Sequence, residues 1–207
     1  MVKGLYRQLA LLIVISILCI GALPAVSAAD ANGGSVRTSS ASPEQIVLIN
    51  KLWGSDITVG EYMEKVHPEH LVGVSDEVKK DLHEHKMIWP DGNNQDRFSE
   101  LSRTITMHVS GWITKVSSTR IRYGGTSTVT GMSDPPGYIY IEAFLMMDEA
   151  TQVDSTSASS TDGIYTISTQ DKLYMWPEAG NYDVHTFGYI SHPYREASGE
   201  SDSITIP

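Results

Sequence analysis

The sequence predicts a mainly β protein, an antiparallel β-sandwich preceded by a short helical segment. Three observations carry this. Apolar residues alternate with polar ones in seven or eight short runs after residue 101, the period of half-buried strands. Turn-forming Gly, Pro, Asp and Asn residues separate those runs. Between residues 42 and 90 the period is helical instead, and cap residues punctuate it three times.

The 207 residues leave room for one large domain or two small ones. Residues 1–29 read as a secretory signal. Lys3 and Arg7 precede an apolar run from Leu9 to Leu23, and Val26-Ser27-Ala28-Ala29 is small enough for cleavage. The run is shorter than the ~20 residues that span a bilayer as a helix. Cleavage at Ala29 or Asp30 is expected, and the alternative is a retained N-terminal anchor. The one cysteine, Cys19, lies inside the run and is preceded by Leu18 rather than the small residue of a lipoprotein signal. The processed chain therefore has no thiol for a disulfide, a thiolate metal site or a nucleophile. Its formal charge is -10 before cleavage, and losing Lys3 and Arg7 makes it more negative. That balance argues against nucleic acid and against an anionic membrane surface. A secreted, extracellular or cell-surface location is expected, with no membrane span after cleavage.

Residues 30–41 are Ser, Gly, Asn and Ala with little to bury, and are expected to form a flexible linker. Ser42, Pro43 and Gln45 make a capping box with proline in the first turn, ahead of Ile46, Ile49, Leu52 and Trp53. Thr58 and Glu61 repeat the box ahead of Tyr62, Met63 and Val66, and Pro68 stops that helix. Ser75 starts a third helix, carrying Val78, Leu82 and His85 and expected to end near Trp89-Pro90. Each is too short to stand alone, so they must pack together or on the sheet.

Asp91-Gly92-Asn93-Asn94 is the expected boundary. The sandwich is expected over residues 101–207. Its strands begin with Ile105, Met107 and Val109. Arg120–Thr130 follows, interrupted by Gly124-Gly125. The strongest strand is Tyr138–Leu145, with Ile139, Ile141, Ala143 and Leu145 on one face and Tyr138, Tyr140 and Phe144 on the other. Thr151–Ser160 reads either as an edge strand or as a solvated loop. Four later runs, around Ile164, Leu173, Val184 and Ile204, complete the set.

Gly180-Asn181-Tyr182-Asp183-Val184 enters one of these late strands. The segment resembles the tyrosine corner of immunoglobulin-like and fibronectin type III-like sandwiches, where a tyrosine near the start of strand F bonds back to the backbone at the E–F corner. The resemblance implies an Ig-like sandwich, a structural role for Tyr182, and a backbone partner near Met175 to Glu178. It supplies no function, because that fold hosts many.

His67, His70, His83 and His85 crowd the helical segment, near Glu69, Asp81 and Glu84. Imidazole is a common zinc ligand, but His83 and His85 are two apart and face different sides of a helix, and Pro68 separates His67 from His70. Solvated helix residues and a local ion pair are the expectation. A secreted metal-dependent hydrolase built on these four is the alternative. Asp91–Ser102 opens like a calcium loop but has Asp96 and Ser102 where that loop needs Gly and Glu. No nucleophile elbow, phosphate loop or other catalytic motif occurs, and no cofactor is implied. Trp112, Tyr138, Tyr140 and Trp176 are candidate ligand-binding aromatics if exposed, and core residues if covered. The expected function is therefore non-enzymatic: binding or structure at a cell surface, with a protein or a glycan as partner.

Overall fold

A computed structural model of the protein describes residues 36–90, 105–192 and 194–207. The signal segment, the boundary at residues 91–94 and the calcium-like run lie outside them. The chain is mainly β, with two antiparallel sheets and a few helices.

The helices begin where their caps predict. In α1 (Pro43–Leu52) and α2 (Val59–Val66) both halves of each capping box are formed, by Ser42 with Gln45 and by Thr58 with Glu61. Ser75 caps α3 (Asp76–Glu84). A 3-10 turn over Pro68–Leu71 joins α2 to α3. The third helix stops at Glu84 rather than near Trp89. Lys86 is drawn instead into a β-bridge with Thr58, and Met87 N–H donates to Ile57 O at 2.9 Å.

The smaller sheet is built from β2 (Thr106–Ser117), β3 (Arg120–Thr130), β6 (Thr166–Ser168) and β7 (Lys172–Met175), with β3 in the middle. The larger sheet runs β1 (Arg37–Ser40), β5 (Thr151–Ser160), β4 (Tyr138–Met147), β8 (Gly180–Ser191), β10 (Ile204–Ile206). Strand β9 (Arg195–Glu200) also pairs with β8.

Two corrections concern edges. The linker expectation fails at its end, because Arg37–Ser40 pairs with Ser159–Thr156 as a strand. A short polar segment has few apolar groups to signal a strand, yet its backbone completes the edge of β5. With that edge covered, Thr151–Ser160 is an interior strand, mostly buried. The interruption at Gly124-Gly125 is also absent, and β3 is continuous. A Cβ at Gly125 would lie 2.9 Å from Thr186 Cγ2, and one at Gly124 would lie 2.7 Å from Trp112 Cζ2. These glycines mark close packing on both faces of one strand rather than a break.

Three layers result. Met107, Ile121, Tyr123 and Val129 of the small sheet meet Ile139, Ile141, Ala143, Leu145 and Val184 of the large one. The other face of the large sheet bears Tyr138, Tyr140, Phe144, Phe187 and Tyr189, and the helices cover it with Ile49, Tyr62, Met63, Val66 and Leu82. Strand alternation therefore feeds two cores from one strand, and β4 is apolar on both faces. Among the described residues, no helix is long and apolar enough to cross a membrane.

Candidate functional site

One charge interrupts the helix-facing side of β4. Glu142 stands between Tyr140 and Phe144 on that face and is fully buried. An unpaired carboxylate there would be strongly disfavoured, so its surroundings must supply donors. They do. His67 Nε2 donates to Oε1 at 2.9 Å, and the hydroxyls of Tyr62 and Tyr140 each donate to Oε2 at 2.8 Å. Tyr62 comes from α2, and His67 from the residue at which α2 ends and the 3-10 turn begins.

The second nitrogen of His67 faces another carboxylate, Glu69 Oε1, at 3.3 Å, and Ser39 Oγ donates to the same oxygen at 2.7 Å. Both ring nitrogens of His67 therefore donate, which requires the imidazolium. Burial opposes that charge, but Glu142 and Glu69 outweigh it and lift the His67 pKa to about 9. Burial pushes Glu142 upward too. The His67 charge and the donated hydrogen bonds win, and its pKa is lowered. Glu69 is held down at about 2, against its own burial, by its hydrogen bonds to His67 and Ser39.

His70 behaves oppositely. Its nitrogens meet Ser159 Oγ and Ser157 Oγ of β5, each at 2.8 Å. Hydroxyls accept or donate, so a neutral ring is satisfied there. Burial, with the neighbouring His67 charge, lowers its pKa to about 4. Tyr138 adds a hydrogen bond from its hydroxyl to His70 O at 3.3 Å.

Two adjacent histidines thus sit in opposite protonation states at neutral pH. An NMR titration should find His67 still charged near pH ~8 and His70 neutral near pH ~5. The folded pKa of His67 lies above its ordinary 6.5, so its stabilising effect is full below pH 6.5 and is lost as the pH rises through about 9. The stability gap between wild type and His67→Gln should shrink over that window. A gap that is flat from pH 6.5 to 9 contradicts the charged assignment.

The residue types would serve acid–base chemistry, but Tyr62, His67, His70 and Glu142 have no solvent exposure. Their side-chain polar atoms are engaged by one another and by Glu69, Ser157 and Ser159. The arrangement ties the helical layer to the sheet, with each charge compensated where it is buried.

Of the four histidines weighed as metal ligands, the fold brings together only His67 and His70, with ligand-type atoms of Glu69 in reach. All four of their ring nitrogens are already engaged. His83 lies over Gly60 and pairs with Glu64 at 3.1 Å, while His85 pairs with Asp81 at 3.4 Å and stacks on Tyr194 with ring centres 3.5 Å apart. Neither joins a metal-ligand group among the described residues.

The aromatic candidates divide as well. Tyr138 and Tyr140 are fully buried under the helices. Trp112 lies half-buried across Gly124, on the face of the small sheet turned away from the large one. Trp176 is 72% exposed and is held at φ 58°, a left-handed conformation uncommon for a bulky residue. Comparison of the chain with protein-family models, with curated proteins and with solved structures gives no match.

Sequence reading passed over Glu142. Its signal was present, as a single acid inside a strand apolar on both faces, which demands a buried cationic partner.

Proposed function

We propose that this chain is an exported, non-enzymatic sandwich domain that binds at a cell surface through the outer face of its small sheet. The exposure of Trp176 carries the reading. A large indole placed in solvent at an unfavourable backbone angle contributes little to the fold, and such strain is concentrated at functional positions. Just before it in the chain, Leu173 and Met175 are exposed on the outer face of β7, paired in register with Arg122 and Arg120 of β3. Trp112 lies on the same face, two pairs along from Arg122. Indoles offer flat faces for sugar rings, and arginine offers a planar fork for carboxylates. The chain is acidic overall, but Arg120 and Arg122 make this face locally cationic, so an acidic surface glycan matches both.

The immunoglobulin-like assignment belongs to the same proposal. Lettering β2, β3, β4, β5, β6 with β7, β8 and β9 with β10 as A, B, C, C′, E, F and G gives A-B-E in one sheet and C′-C-F-G in the other. Tyr182, near the start of β8, donates from its hydroxyl to Glu178 O at 3.0 Å, as a tyrosine corner does.

Binding to a polyuronate and to a neutral glucan, measured by affinity electrophoresis, tests the role. Wild type should be retarded by the polyuronate alone, and Trp176→Ser and Arg122→Ser should each weaken retardation several-fold with unchanged thermal midpoints. Equal migration of all three proteins in the polyuronate refutes it.

A further inference from the structure

A second polar group lies outside the sealed centre, at the other end of the helix-facing side of the large sheet. Asp183 and His185 are two residues apart on β8, so their side chains share a face. Glu200 of β9 stands directly opposite His185 in the strand register. One nitrogen and two carboxylate oxygens from these three residues lie within 4.8 Å of one another.

The hydrogen bonding leaves this group unfinished. His185 Nδ1–H donates to Pro90 O at 2.9 Å, which leaves Nε2 as the ligand atom. Burial favours the neutral ring, but Asp183, Pro90 O and Glu200 outweigh it and raise its pKa, so a metal ion would bind by displacing the Nε2 proton. Nε2 stands 2.6 Å from Asp183 Oδ2 and 3.7 Å from Glu200 Oε1. His185 Nε2 and Asp183 Oδ2 are both buried, and at 2.6 Å they form a close ion-pair contact that does not meet hydrogen-bond geometry, so neither has a hydrogen-bond partner. Asp183 is 3% and His185 6% exposed. Buried polar atoms rarely remain unmatched. Two ligand-type atoms this close, with no hydrogen bond between them and a second carboxylate beside them, fit a shared cation. Tetrahedral N and O ligands of one zinc ion stand about 3.3 Å apart, so binding would open the 2.6 Å pair slightly and draw Glu200 in from 3.7 Å. A backbone carbonyl on the far nitrogen of a ligating histidine is the usual way its ring is oriented. The side chain of Glu200 is 42% exposed, so the group opens to solvent on its β9 side.

We propose that Asp183, His185 and Glu200 form a binding site for one divalent transition-metal ion of the zinc class. The imidazole selects against calcium and magnesium, whose ligands are oxygen. Three protein ligands leave a coordination position for water or for an oxygen of a bound partner. The site uses none of the four histidines of the helical segment, and it goes beyond the surface-binding role proposed above.

The test is zinc titration of the chelator-treated protein by calorimetry, with cobalt as a spectroscopic probe. The expected result is one zinc per chain and cobalt absorption in the visible typical of four- or five-coordination. Losing a residue that merely orients a ligand weakens a metal site about 10–100-fold, so losing a ligand should weaken it at least that much. Glu200→Gln, at the half-exposed position, and Asp183→Asn should both do so with circular dichroism unchanged. Glu69→Gln, at the half-exposed carboxylate beside His67, should leave affinity as it was. Absence of zinc uptake by the folded wild type overturns the proposal, and so does uptake lost in Glu69→Gln but kept in Glu200→Gln. Failure of polyuronate binding leaves this result untouched, since neither readout uses the outer face of the small sheet.

Discussion

Glu142→Ala is expected to destabilise the protein by about 3–5 kcal/mol, the scale for removing one member of a buried ion pair. The loss would not be of attraction alone. His67 would be left charged in the interior with Glu69 as its one anionic partner, and the hydroxyls of Tyr62 and Tyr140 would lose their acceptor. His67→Ala should cost a similar amount, because it leaves the buried Glu142 carboxylate without its cation, with the hydroxyls of Tyr62 and Tyr140 as its donors. The double variant should lose clearly less than the sum, since each single change already removes the shared interaction. Denaturant midpoints for the three proteins check this. Single losses under about 1 kcal/mol, or strict additivity, are incompatible with the pair holding the helices to the sheet.

Tyr182→Ala is expected to cost about 3–5 kcal/mol, and Tyr182→Phe about 1–3 kcal/mol. The ring is buried between the sheets with Ile121, Leu145 and Ile206, so alanine opens a cavity. Phenylalanine keeps the packing but leaves Glu178 O without this donor. Tyr194 is not the neutral reference that a loop position suggests. It stacks on His85, and its hydroxyl donates to Glu196 Oε2 at 2.5 Å. Glu196 is itself pushed up to about 7 by burial. Tyr165, whose exposed hydroxyl reaches Ser133 O, is the better comparison. If Tyr182→Phe is as silent as Tyr165→Phe, the hydrogen bond to Glu178 holds nothing.

Several readings came directly from local chemistry. Ser42 with Gln45 and Thr58 with Glu61 mark helix starts because a cap is satisfied within four residues. The alternation from Tyr138 to Leu145 separates two faces because successive side chains on a strand point apart. The upstream partner of Tyr182 was expected between Met175 and Glu178, and Glu178 O is the acceptor, four residues away.

What the sequence by itself determined is therefore the three helix starts, most of the strands and the faces of the strongest strand, all of which depend on neighbours within a few residues. Strands β1 and β9 are not among those it predicts. Only the tertiary structure decided which faces are covered. It buried Tyr138 and Tyr140 under the helices and left Trp176 in solvent, although the same aromatic chemistry marks all three. It paired Arg37–Ser40 with β5, a contact spanning more than a hundred residues that no local pattern encodes. It joined His67 to Glu142 across 75 positions and His185 to Glu200 across a strand register. It also gave two histidines three residues apart opposite protonation states. The protonation state of an imidazole is set by what faces its nitrogens, carboxylates for His67 and hydroxyls for His70, and all of those partners except Glu69 arrive from strands far along the chain.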